Sequence, residues 1–245
     1  MPVSNMPEQA LSFVDSVLRL HPRVAVFDCD GTLWSPDAGE GFLRWELERG
    51  LVSPDLARWI RERYADYRNG KVPEDVMCGE MVTIHAGLRD HAVERAAEEY
   101  FAPAIEPGIF PEMRALVTGL RQQGCAVWAV SSSNQWIIRV AMRRFGIPPE
   151  RILATEVAVE NGVITDRLIR IPCGPGKADA IREKIGESVD AAFGNTRWDA
   201  EMLQLSRYPF AVNPNPDFEQ YARKRDWPVY FPNRNQAPHQ PSRPD

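Results

Sequence analysis

The run Val24-Ala25-Val26-Phe27 passes straight into Asp28-Cys29-Asp30-Gly31-Thr32-Leu33, and this junction constrains the fold more than any other stretch of the chain. An unbroken apolar run rich in valine reads as a strand buried on both faces, as in a parallel sheet. Two carboxylates then stand one residue apart at its C-terminal end, with a glycine to turn the backbone. Open α/β sheets bind their ligands outside the carboxyl ends of the strands. Two acids crowded there repel each other and lose hydration, which a cation between them or a catalytic task accounts for. A surface turn closed by Asp-Gly is the plainer alternative, and the hexapeptide alone does not decide between the two.

The rest of the chain supplies the sheet. Residues 7–20 carry apolar side chains at helical spacing. From residue 110 onward, helical and strand patterns alternate: helix 110–123, strand 125–130, helix 135–145, strand 152–157, a hairpin over 159–171 turning at Asn161-Gly162, helix 176–186, strand 189–193, helix 199–206, strand 208–212 and helix 216–225. Such alternation specifies a doubly wound parallel sheet, a Rossmann-like α/β fold. Residues 38–104 break the alternation with four helical segments, interrupted near Gly50, Gly70 and Gly87, and no strand. The expected organisation is an α/β core of residues 1–36 and 105–231, an all-helical domain of residues 37–104 inserted after the first strand, and a disordered tail over 232–245, where Pro, Asn and Gln dominate.

Composition narrows the function classes. A net charge of −5 over 245 residues argues against nucleic acid or an anionic membrane as the main partner. No stretch approaches the roughly 20 apolar residues that span a bilayer, and the N-terminus does not read as a signal peptide. Cys29, Cys78, Cys125 and Cys173 are scattered without Cys-x-x-Cys spacing, which argues against a zinc site and a disulfide framework and for reduced thiols in the cytoplasm.

The other strand ends carry candidate partners for the acid pair. Val130 is followed by Ser131-Ser132-Ser133-Asn134 and a helix, where hydroxyls and free amides make either an anion site or a serine-rich helix cap. Gly174-Pro175-Gly176-Lys177 puts one of only four lysines at a loop-to-helix junction. The strand at 189–193 runs into Gly194-Asn195-Thr196-Arg197-Trp198-Asp199, whose Asn195 and Asp199 offer oxygens to a hard cation, or in which Asp199 simply caps a helix.

Taken in order, an Asp-x-Asp-Gly-Thr motif, a hydroxyl after the next core strand, a lysine and an acidic loop resemble the haloacid dehalogenase superfamily of phosphohydrolases. The resemblance spans about residues 22–231, and the helical insertion looks like the cap of the subgroup that includes phosphoserine phosphatase. It implies a phosphatase dependent on Mg2+ that hydrolyses a small phosphorylated metabolite through an aspartyl-phosphate. Asp28 is then the nucleophile and Asp30 the general acid and base. Ser131 and Ser132 bind phosphate, Lys177 neutralises charge, and Asp28, Asp30, Asn195 and Asp199 hold the metal. The family usually has an aspartate where this chain has Asn195, so weaker metal binding is expected. Phosphotransfer to an alcohol, or phosphate binding with impaired turnover, are the alternatives. The molecule is expected as a monomer or homodimer.

Specificity is less legible. Trp34, Trp136 and Trp198 each lie near a motif, and Trp198 is a candidate substrate contact. The three indoles either pack between helices and sheet or form an aromatic cage for an alkylammonium group. Asp37 and Glu40 offer carboxylates to a substrate amine, and Arg63 and Arg68 offer guanidinium groups to a substrate carboxylate. Solvated charges are the default for all four.

Overall fold

The computed structural model describes residues 6–232. Its sheet has seven strands in the order β4-β3-β2-β1-β5-β6-β7, comprising β1 (Val24–Phe27), β2 (Ala126–Asn134), β3 (Ile152–Glu160), β4 (Val163–Arg170), β5 (Val189–Gly194), β6 (Ser206–Val212) and β7 (Val229–Tyr230). β4 runs antiparallel to β3, its hairpin partner; every other neighbouring pair is parallel. β1 lies at the centre, flanked by β2 and β5.

Alternation along β1 divides the core in two. Ala25 and Phe27 face a large cluster with Val14 and Val17 of α1 (Glu8–Leu18), Leu116 and Leu120 of α6 (Pro111–Gln122), and Ile138 and Met142 of α7 (Gln135–Phe145). Val26 faces the other side, among Ile181 of α8 (Pro175–Lys184), Met202 of α9 (Ala200–Gln204) and Phe218 of α10 (Pro216–Arg223). Helices therefore cover both faces, as the alternation predicts. Within the first cluster Phe27, Phe193 and Phe210 stack across three adjacent strands at centroid separations of 4.2 and 4.9 Å. Each such pair adds about 0.5–1.5 kcal/mol beyond its burial. The ladder holds β1, β5 and β6 in one register, which brings Asp28 level with Gly194 and Asn195.

Between β1 and β2 the chain forms α2 (Ala38–Glu48), α3 (Pro54–Arg68), α4 (Glu74–Thr83) and α5 (Asp90–Ala104). Local chemistry starts them: the Asp37 carboxylate accepts from the Glu40 amide, and Ser53 caps α3 ahead of Pro54 at its first position. Leu43, Leu47, Ile60, Val72 and Met77 make a small core of their own. The insertion also leans on the sheet, α5 against α7 and α4 against β3 and β2. Arg63 lies bidentate on Glu80, tying α3 to α4, so this guanidinium is spent within the insertion.

One buried ion pair joins the insertion internally. His85, just past α4, bonds Glu46 of α2 through Nε2 at 2.7 Å and the Val82 carbonyl through Nδ1 at 3.1 Å. Burial alone pulls the imidazole down, but the Glu46 carboxylate and both hydrogen bonds outweigh it and hold His85 above its ordinary value. A raised folded value means the pair contributes fully below the unfolded value of about 6.5 and fades as pH rises through the folded one. Thermal melts of the wild-type chain are therefore expected to lose stability from this pair above neutral pH. In Glu46→Gln that part of the pH dependence flattens, and an unchanged slope would rule the pair out as its source.

Several boundaries differ from the sequence expectation. β2 continues through the serines to Asn134, because Asn134 pairs with Thr155 and the Thr155 hydroxyl donates to the Ser132 carbonyl at 2.6 Å. A 3-10 turn over Arg197–Asp199 precedes α9, which stops at Gln204, so β6 begins at Ser206. β7 has two residues, too few for any periodicity; Tyr230 stacks on Phe13 at 3.8 Å and donates its hydroxyl to Glu112. The expected tail lies, beyond Pro232, outside the described residues. Among the described residues no helix is long and apolar enough to cross a membrane.

Candidate active site

Asp28 is the first residue past β1, and its amide donates to the Phe193 carbonyl at 2.8 Å, a last rung between β1 and β5. The chain then turns sharply. Gly31 has φ of 81°, and a Cβ there would fall 1.9 Å from Asn195 Nδ2, so any other residue would strain the backbone and displace the Asn195 side chain. The turn returns Thr32, whose hydroxyl donates to Asp28 Oδ2 at 2.8 Å. Lys177, in the first turn of α8, donates to Asp28 Oδ1 and to Asp199 Oδ1, both at 2.6 Å. The amides of Asn195 and Thr196 donate to Asp199 Oδ2 at 2.9 and 3.0 Å.

Asp28, Lys177 and Asp199 are all buried. Burial and the neighbouring Asp199 push the Asp28 carboxyl up to about 7, against the pull of Lys177. Burial opposes the charge on Lys177, but the two carboxylates prevail and hold its pKa well above the usual lysine range. A permanently charged lysine bridging two acids has room for further positive charge beside it.

Asp30 points the other way. Its Oδ1 accepts from Trp34 Nε1 at 2.8 Å and from the Ala38 amide at 2.6 Å, and its Oδ2 accepts from Ser133 Oγ at 2.7 Å. Burial, then the charge of Asp37, raises the carboxyl to about 7 against these three donors. A group poised there is suited both to give and to take a proton near neutral pH.

The fold thus brings Asp28, Asp30, Lys177 and Asp199 together, with Asn195 against the Gly31 turn. Ser131 is buried, and its Oγ accepts from the Ser133 amide at 3.1 Å. Ser132 and Ser133 line a cleft between sheet and insertion, walled also by Asp37, Glu40, Tyr64, Tyr67 and Glu74. Trp198 is not brought to that cleft: it is 49% exposed and lies over Gly174. Trp34 and Trp136 are buried, their indole N–H groups spent on Asp30 and Asp90. No three-tryptophan cage forms. Ser133 and Thr32 are contacts that sequence reading missed. The available signal was that alternate residues of an extended strand share a face, which pairs Ser133 with Ser131.

Asp28, buried at the mouth of the central strand and tied through Lys177 to Asp199, and Asp30, bonded to the first residue of the inserted helices, make a candidate active site rather than a surface turn. The family model described as haloacid dehalogenase-like hydrolase matches residues 25–204, and the chain belongs to that family. A histidinol-phosphatase of Neisseria meningitidis serogroup C is 29% identical over 222 residues, covering 84% of this chain and 97% of the relative. A crystal structure of a protein of unknown function from Bordetella pertussis Tohama I superposes with a TM-score of 0.75 at 21% identity, covering 85% of this chain and 97% of that one. A substrate-bound phosphoserine phosphatase superposes with a TM-score of 0.57 at 16% identity, covering 86% and 93%. Both likenesses are of fold.

Proposed function

We propose that this chain is a magnesium-dependent phosphatase that hydrolyses a small phosphate monoester through an aspartyl-phosphate, and that the alcohol it releases is cationic. The observation that carries the reaction is Asp28 held between Thr32 and Lys177 while Asp30, two residues on, is bonded through Ser133 to a residue that lines the cleft. Asp28 attacks phosphorus and displaces the alcohol; Asp30 gives that alcohol its proton. In the second half-reaction Asp30 takes a proton from the water that opens the aspartyl-phosphate. Lys177 neutralises charge on both nucleophile and phosphate, so that two anions can approach. Ser131 supports the phosphate from the end of β2, and Asp199 positions Lys177.

The residues fit a hard cation. Asp28, Asp30, Asn195 and Asp199 form an oxygen-only donor set of excess negative charge, with Lys177 the one cation bonded to it among the described residues. Asp28, the Asp30 carbonyl and Asn195 would hold magnesium. Asp199 would serve it from behind, through its bond to Lys177. The ion would withdraw charge from the phosphoryl oxygens. Because Asn195 supplies a neutral oxygen, Asn195→Asp is expected to lower the magnesium concentration for half-maximal turnover, on the order of tenfold. An unchanged or higher requirement in a magnesium titration means that Asn195 is not a ligand.

Residues 37–104 act in this reading as the cap over a core of residues 1–36 and 105–231, and the cap chooses the substrate. The cleft presents Asp37, Glu40 and Glu74 and the rings of Tyr64 and Tyr67, with no basic residue in its lining among the described residues; Arg44 pairs with Glu40 from outside that lining. Such a pocket attracts an ammonium or imidazolium group and repels a carboxylate. The relative named histidinol-phosphatase points to an alcohol of this kind. Phosphate release with magnesium should favour histidinol phosphate over phosphoserine in kcat/KM by at least an order of magnitude. Equal or reversed preference overturns the cationic reading, and no release from either overturns the phosphatase.

A further inference from the structure

Glu74, Cys78 and Cys173 converge at one edge of the cleft, and their ligand atoms all lie within 4.8 Å of one another. Glu74 and Cys78 are one turn apart on α4 and so share a face. Cys173 comes from the opposite side, from the loop between β4 and α8. That loop is tightly built: the Gly176 amide donates to the Cys173 carbonyl at 2.9 Å, and a Cβ on Gly176 would fall 2.6 Å from the Ile171 carbonyl oxygen. Cys173 is therefore held in place four residues before Lys177. The wide spacing of the cysteines in sequence argued against such a group, because nothing in the spacing shows that α4 lies over this loop.

We infer that Glu74, Cys78 and Cys173 form a binding site for a zinc-class divalent cation, separate from the oxygen-lined site at Asp28. Two thiolates and a carboxylate are the donor set of a soft or borderline cation and not of magnesium. Ligand atoms around tetrahedral zinc stand about 3.4–3.8 Å apart, given Zn–S bonds of about 2.3 Å, so the three groups need to close by about 1 Å. Glu74 and Cys78 both line the cleft, which leaves the fourth position to water. The acidic walls raise the local concentration of any divalent cation. Tyr67 lines the cleft beside Glu74 and Cys78. A bound ion would fasten α4 to the loop that leads into α8. None of this depends on the phosphatase reading.

The test uses the full chain, reduced and with excess magnesium to fill the oxygen site, titrated with Co2+. One equivalent is expected to give a thiolate-to-cobalt charge-transfer band that Zn2+ displaces. The band should disappear in Cys78→Ser and Cys173→Ser, weaken in Glu74→Gln, and persist in Cys125→Ser. No band, or one that survives both serine substitutions, overturns the site. Should the variants fail to fold, the wild-type chain still decides. Zn2+ must slow alkylation of Cys78, measured by peptide mass, and an equal rate with and without zinc overturns the inference.

Discussion

Asp28→Asn is expected to lower kcat for any accepted phosphate ester on the order of 10⁴-fold or more, since the proposed route needs a carboxylate here to bond to phosphorus. The amide is nearly isosteric, keeps an oxygen for Thr32 or Lys177, and relieves the repulsion between Asp28 and Asp199 that burial magnifies. The folded state should therefore be as stable as wild type or more so. Loss of turnover with an unchanged or raised melting temperature is the signature of a nucleophile. Turnover within a factor of ten of wild type would falsify the covalent route. Asp30→Asn serves as the contrast: it leaves the nucleophile intact, so esters with good leaving groups should still phosphorylate the enzyme while those with poor ones do not.

Lys177→Met is expected to damage both stability and activity. The lysine is 2% exposed and its ammonium is shared by two buried carboxylates at 2.6 Å. Methionine keeps much of the stem's packing but leaves Asp28 and Asp199 facing each other unpaired. Removing one partner of a buried ion pair costs about 3–5 kcal/mol, and at about 2–4 °C per kcal/mol for a chain of this size the melting temperature falls by roughly 10 °C. The deficit should shrink as pH falls, since protonated carboxylates no longer repel. A deficit that does not change with pH would place the loss in packing and not in charge.

The reaction centre was more legible in the sequence than its surroundings. Asp28 and Asp30 are read from a local fact, a buried strand that ends in two acids and a glycine. Lys177 stands out because lysine is scarce in this chain. Ser133 was hidden because a serine run before a helix reads as a cap, and only the pairing of Asn134 with Thr155 shows the strand continuing. The four-residue spacing of Asn195 and Asp199 points to a metal ligand, while the bond of Asp199 to Lys177, 22 residues away, belongs to the packing of α8 against the 3-10 turn and α9. The cleft was least legible. Asp37, Glu40, Tyr64 and Tyr67 meet only after the inserted helices fold over the sheet, and no periodicity encodes that contact.

The hydrogen bond from the Ala38 amide joins the first residue of α2 to the Asp30 carboxylate at 2.6 Å. The start of the inserted helices and the Asp30 carboxylate are thus tied directly to each other. Trp34 and Ser133 hold the same carboxylate from the Gly31 turn and from β2, so three separate segments of the chain meet on one side chain.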